Sequence, residues 1–263
     1  MSNDQLGGSS LNLYESRILR EVTGPVIRPG GFDLTDRGLA CCRLAPGIRV
    51  LDIGCGTGAC VDHLRRRHGL KAAGVDISAV LLKEGATTYD GLPLLRGLAE
   101  QLPSMDDYFG AVVSECMLSL CPDPQSVLRE VRRVLQPGGF LILADIYACK
   151  PGHGGWMGRE SIHSCLQGAV DRETVERRIA DAGLDLELWE DHSPLLKQLA
   201  AQLIWTYGSL EAFWSALGRS DSSENLHQGG TACSGRPGYY LAIARKPGKP
   251  TGCCNIRGES IEL

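Results

Sequence analysis

Between residues 48 and 145, short apolar runs alternate with stretches whose apolar positions recur at helical spacing. Residues 48–53 predict a buried strand, 59–68 a helix, 72–76 a second strand, 79–88 a helix and 92–95 a weaker third strand. A fourth strand is expected at 111–113, then a helix at 124–135 stopped by Pro137-Gly138-Gly139, and a fifth strand at 140–144. Such alternation forces crossover connections. Crossovers give a mostly parallel sheet with helices on both faces, a doubly wound α/β fold. A helix at 172–182 and a strand at 184–189 continue the pattern. Residues 194–217 then predict a long amphipathic helix broken near Gly208, followed by a polar loop at 218–235 and a last strand at 239–245. The Gly-rich stretch 151–158 predicts a loop of the lid or hinge kind. The chain thus divides into a helical cap (1–47), an α/β domain (48–247) with a helical insertion at 193–217, and a flexible tail (248–263).

Composition excludes several functions. At 263 residues and 43% hydrophobic, the chain can bury a full core without disulfides or metals. A net charge of −4 argues against nucleic-acid binding, which needs clustered Lys and Arg. The densest basic run, Arg65-Arg66-Arg67-His68, falls at a helix end, where it complements the dipole. No stretch approaches the roughly 18 apolar residues of a membrane helix. The polar start lacks the features of a signal peptide, so a cytoplasmic location is expected. Eleven cysteines, an odd count without C-x-x-C spacing, support neither a disulfide framework nor a zinc site. No metal is expected: no histidine has ligand spacing, and His63 and His68, five apart on one helix, do not share a face well.

The run Val50-Leu51-Asp52-Ile53-Gly54-Cys55-Gly56-Thr57-Gly58 takes an apolar strand through a glycine-dense turn into a helix. Glycines there let a ligand approach the backbone at the carboxyl ends of the strands. The pattern is GxGxG rather than GxGxxG, and Asp52 precedes it. A carboxylate beside a pyrophosphate is repulsive, whereas it binds an ammonium group well. Asp76, ending the next strand, is placed to accept both ribose hydroxyls. Two such acids suit a cationic nucleoside with an amino-acid tail, S-adenosylmethionine.

With VLDIGCGTG (50–58), GVDIS (74–78), GLAEQLP (97–103) and VLREVRRVLQPGGFLILAD (127–145), the chain resembles the class I S-adenosylmethionine-dependent methyltransferases over about residues 36–183. The resemblance implies a Rossmann-like, seven-stranded sheet with the last strand antiparallel. It also implies that Asp52, Gly54, Cys55, Gly56 and Gly58 form the methionine side of the cofactor site. Asp76 would take the ribose and Ile77 the adenine face. Ala99 and Glu100 would meet the adenine edge, and Ser114 would lie near the sulfonium. Leu98 stands where the family commonly has an acid, so Glu100 or a backbone carbonyl must accept from the adenine amino group. In this family a segment such as 14–39, with its turn Arg28-Pro29-Gly30-Gly31-Phe32, closes over the cofactor.

The acceptor is less legible, because methyl transfer needs mainly alignment and exclusion of water. Ser114-Glu115-Cys116-Met117 is not the Asn/Asp-Pro-Pro-aromatic turn of enzymes that stack planar amides or bases. Glu115 is either a base that orients the acceptor or an acid placed at a helix N-terminus. The segment SECMLSLCPD (114–123) and Cys165-Leu166-Gln167-Gly168-Ala169 resemble the arsenite methyltransferase branch. That resemblance implies a thiolate role for Cys165, with Cys233 as its candidate partner; soft thiolates suit such a centre. Cys55, Cys60, Cys116 and Cys121 read mostly as structural, while Cys41-Cys42 and Cys253-Cys254 are vicinal pairs that could bind metal or exchange redox equivalents. His153 lies within reach of an active site or is a solvated loop residue. The expected function is methyl transfer to a small molecule, with arsenite or a thiol as one alternative and a non-catalytic S-adenosylmethionine sensor or assembly protein as another. A protein partner stays open, and the oligomeric state is not legible.

Overall fold

A computed structural model of the chain describes residues 11–155, 162–219 and 234–248. Before the sheet come β1 (Leu11–Asn12), α1 (Arg17–Thr23) and α2 (Gly31–Cys42). The alternating part is β2 (Arg49–Ile53), α3 (Ala59–His68), β3 (Lys71–Asp76), α4 (Ala79–Thr88), β4 (Leu94–Arg96), β5 (Phe109–Glu115), α5 (Pro124–Val134) and β6 (Leu135–Gly155). After it come β7 (Ile162–His163), α6 (Arg172–Asp181), β8 (Asp185–Asp191), α7 (Ser193–Tyr207), α8 (Leu210–Arg219) and β9 (Ser234–Arg245).

Local chemistry sets these boundaries. The Ser78 hydroxyl accepts from the Leu81 amide at 3.1 Å and starts α4. Asp123 accepts from the Ser126 amide at 3.0 Å, with Pro124 opening α5; Asp171 does the same for Thr174 at 2.7 Å in α6. Each such cap contributes about 1 kcal/mol. In α5 the buried stripe Val127, Leu128, Val131 and Val134 turns toward the sheet, as helical spacing requires.

The seven-stranded sheet has the order β4-β3-β2-β5-β6-β9-β8, parallel except for β9, which runs antiparallel between β6 and β8. Alternate residues of each strand feed two core layers. Leu51, Ile53 and Val112 pack with Leu128, Val131 and Ile179 on one face; Val50, Val113 and Ile142 pack with Leu34, Val61 and Leu64 on the other. A third cluster joins Leu13 and Leu19 to Leu203, Phe213, Trp214 and Leu217, so the N-terminal segment and the α7–α8 pair share a small core.

The structure departs from expectation at β6. This strand begins directly after α5, passes through Pro137-Gly138-Gly139 and continues to Gly155, so residues 151–155 are strand where a loop is predicted. The antiparallel partner β9 extends with it, and register shifts at Pro151 accommodate the missing donor. Residues 156–158 of that stretch, Cys233 and residues 249–263 lie outside the described residues. The parallel pairing of β1 with β7 is too short to leave a sequence pattern. The break between α7 and α8 falls at Gly208, at φ 84°.

Candidate functional site

The carboxyl ends of β2, β3 and β5 open into a cavity of about 380 Å³, with Asp52, Gly54, Cys55, Gly56, Asp76, Ile77, Ala99, Glu100 and Glu115 on its walls. The N-terminal segment covers it, bringing Tyr14, Arg20, Val26 and Arg28 to the same cavity. Polar ties hold that segment down. Ser78 Oγ donates to Glu15 at 2.6 Å, Arg20 pairs with Glu84 at 2.8 Å, and Arg28 pairs with Glu115 at 2.7 Å.

Asp76 accepts from the Gly56 amide at 2.8 Å and the Ser78 amide at 2.7 Å, so one carboxylate shapes both the glycine turn and the start of α4. Burial raises its pKa, and the amide hydrogen bonds offset part of that. Gly58 does not line the cavity. A Cβ there would lie 2.9 Å from a Leu94 methyl, and its φ is +84°, so it serves the packing of the turn on β4. Ile77 is 54% exposed at the cavity wall, an apolar surface open to a planar ring. Leu98 also lines the cavity, with Glu100 nearby as the available acid.

The charges at the floor are not balanced within the protein. The Arg28 and Glu115 side chains are only 10% and 4% exposed, and Thr35 donates to Glu115 at 3.0 Å while accepting from Arg28. Burial pulls the Arg28 pKa down and the Glu115 charge more than restores it, so Arg28 stays charged. Asp52 is 3% exposed. Burial first, then the Glu115 charge, pushes its carboxyl up to about 8. Asp52 Oδ2 and Arg28 Nε have no hydrogen-bond partner among the described residues. A buried orphan acceptor and a buried orphan donor, on two residues that line one cavity, fit a ligand with an ammonium and a carboxylate, the two ends of an amino acid. With the ribose acceptor and the apolar ring wall, these residues fit S-adenosylmethionine.

Besides that of Gly58, two expected roles change. Ser114 is buried within the sheet with its hydroxyl unpartnered and does not line the cavity; Glu115, Cys116 and Met117, one to three residues further on, do. Glu115 is engaged by Arg28, Thr35 and the Cys60 thiol, so it is neither a free base nor a helix-start acid.

A second, largely apolar cavity of about 250 Å³ lies between the N-terminal segment and α7–α8, walled by Leu19, Leu199, Ala200, Leu203, Phe213 and Trp214 among others. The two cavities share Tyr14, Ile27 and Cys116. Cys116 holds a left-handed backbone at φ 53°, and its thiol contacts the Tyr239 hydroxyl at 3.2 Å. Its hydrogen bond to Cys165, then burial, raises its pKa well above the thiol range. Cys165 lines the second cavity, and its amide donates to the Tyr14 hydroxyl at 3.3 Å. The partner that the structure places beside Cys165 is therefore Cys116, from the segment SECMLSLCPD. Arg28 left no sequence signal beyond its place before a Pro-Gly-Gly turn.

The Methyltransferase domain family model matches residues 51–143. The chain is 30% identical over 203 residues to the 27-O-demethylrifamycin SV methyltransferase of Amycolatopsis mediterranei, covering 72% of each chain. It is 35% identical over 125 residues to an arsenite methyltransferase of Aquipseudomonas alcaligenes, 42% of this chain and 36% of that one, so it spans well under half of that relative's length. In fold it is similar to the [4+2]-cyclase SpnF, with a TM-score of 0.67, 24% identity and coverage of 90% of this chain and 93% of that one. The same fold is thus shared with a protein named for other chemistry, so fold alone does not fix the reaction.

Proposed function

The chain belongs to the S-adenosylmethionine-dependent methyltransferases, and from that premise we propose that it methylates a small, largely apolar molecule seated in the second cavity. One observation carries this reading: the two cavities meet at Tyr14, Ile27 and Cys116. When bound, the cofactor supplies an electrophilic methyl group on a positively charged sulfur. Asp52 accepts hydrogen bonds from its ammonium group, Arg28 Nε donates to its carboxylate and Asp76 accepts from its ribose hydroxyls. Ile77 and Ala99 hold the adenine, and Glu100 is placed to accept from its amino group. The apolar walls of the second cavity exclude water and present the acceptor at the junction. Alignment and desolvation therefore do most of the work. Glu115 acts as a positioning residue through Arg28.

The test follows S-adenosylhomocysteine released from reduced protein given S-adenosylmethionine and a panel of phenols, quinols, amines, and arsenite with a thiol. Turnover on an organic acceptor that Asp76→Ala abolishes supports the reading. Two hydrogen bonds to a charged group imply a loss of cofactor affinity of about 100-fold or more. Full activity in Asp76→Ala would refute the cofactor placement.

A thiophilic acceptor is the second reading, favoured by the Cys116–Cys165 pair at the junction together with the relation to an arsenite methyltransferase. Each thiol that replaces a hydroxyl of arsenite releases one water and leaves a sulfur–arsenic bond. Arsenite turnover that Cys116→Ser and Cys165→Ser each abolish would put this reading first. Organic turnover retained in both variants would leave the cysteines as packing.

A further inference from the structure

Among residues that line neither cavity, Asp36 of α2 meets His63 and His68 of α3. The Nε2 atoms of His63 and His68 lie 2.6 and 2.7 Å from the same oxygen, Asp36 Oδ1. All three donor atoms lie within 4.8 Å of one another. Five residues apart, the two histidines leave an ideal helix about 140° apart. The carboxylate from the neighbouring helix sits where both rings can reach it, so the trio is assembled by the tertiary structure and not by spacing.

We propose that Asp36, His63 and His68 form a binding site for a divalent transition metal, suited to Zn2+, that staples α2 to α3. Two imidazole nitrogens and a carboxylate oxygen are the donor types Zn2+ prefers, and three protein ligands leave a fourth position for water. In a tetrahedral site donors stand about 3.3 Å apart, so small side-chain rotations open the trio around an ion. Each imidazole then binds as a neutral ring through the Nε2 lone pair, with its one proton on Nδ1. The trio is held in advance. Phe32, also on α2, stacks on the His63 ring at 4.1 Å and 7°, and the His63 and His68 rings meet edge to face at 5.2 Å. Partly exposed side chains (15% for His63, 38% for Asp36, 28% for His68) give a hydrated ion a way in.

The electrostatics agree. His68 ends α3, where the helix dipole is negative and favours a cation. Of the three adjacent arginines, Arg66 pairs with Asp62 at 2.6 Å, Arg65 turns to the Ala72 carbonyl at 3.1 Å, and Arg67 is exposed to solvent, which screens its charge. The staple would act on function indirectly. Helix α2 begins three residues after Arg28 and carries Thr35, a partner of both Arg28 and Glu115.

The experiment titrates the full, reduced chain with Zn2+ and with Co2+. Because cysteines also bind these ions, three variants are compared: His63→Asn/His68→Asn, Asp36→Asn and Cys116→Ser/Cys165→Ser. The expected result is one equivalent of Zn2+ lost in the histidine variant, weakened about tenfold or more in Asp36→Asn, and retained in the cysteine variant. The corresponding Co2+ complex has visible d–d bands without a thiolate charge-transfer band. At about 100-fold excess over Kd, Zn2+ raises Tm by about 5–10 °C in the wild type. Asp36→Asn, which can still hydrogen-bond the imidazoles, keeps the test valid if the double variant fails to fold. Equal metal stoichiometry and affinity in wild type, Asp36→Asn and the histidine variant would overturn the site, as would the absence of any binding. The trio would then be a hydrogen-bonded strap only.

Discussion

Asp52 combines 3% exposure with an unpartnered oxygen, and the consequence is a pH dependence of definite sign. Its folded pKa of about 8 stands above the ordinary value of 3.8, so the folded, ligand-free state holds a proton that the unfolded chain releases. The stability associated with that proton is present below pH 4 and is lost as the pH rises toward 8. Asp52→Asn abolishes this loss and stabilises the ligand-free protein at pH 8 by on the order of a few kcal/mol, which denaturant melts at pH 4 and pH 8 can read. The same variant binds S-adenosylmethionine at least about tenfold more weakly, because a neutral amide replaces the charged acceptor of an ammonium. A melt in which Asp52→Asn and wild type keep the same difference at both pH values would disprove the assignment. Arg28 is the opposite case. Its removal strands Glu115 in the interior, and Arg28→Met is expected to cost about 3–5 kcal/mol in chemical denaturation.

At the scale of elements, two glycines with the same backbone separate strain from packing. Gly58 and Gly208 both have φ +84°, but a Cβ on Gly58 meets Leu94 at 2.9 Å whereas one on Gly208 meets nothing within 4 Å. Gly208→Ala is expected to cost about 1 kcal/mol and Gly58→Ala about 2–4 kcal/mol; equal losses in thermal unfolding would contradict the packing of the turn on β4. Helices α3 and α4 occupy the spans 59–68 and 79–88, which the sequence delimits by itself, since Gly58, Gly69 and Ser78 mark their ends locally. Strand β6 was legible only at residues 140–144 of its span 135–155. Pro137, Pro151 and the glycines around them deny it a pattern, and what extends it is pairing with β9, a partner about a hundred residues away.

Across the whole molecule the same distinction holds. The glycine turn at the first cavity could be read because strand, glycines and Asp52 are contiguous, and Asp76 follows on the neighbouring strand. The cover could not: Arg28 reaches Glu115, Tyr14 reaches Cys165, and Cys116 joins Cys165, each across a long separation in sequence. A sequence pattern encodes which face of an element is buried, not which distant element lies on it. The second cavity is a product of the packing of the N-terminal segment on α7 and α8. Ala200 lines this cavity on α7 and does not line the cofactor cavity, so Ala200→Trp fills one and spares the other. The decisive measurement compares wild type and Ala200→Trp for S-adenosylmethionine affinity by calorimetry and for S-adenosylhomocysteine release on the acceptor that the panel identifies. Unchanged cofactor affinity with turnover reduced about 100-fold or more is the predicted result. Unchanged affinity with unchanged turnover would mean that the acceptor reaches the methyl group by another route.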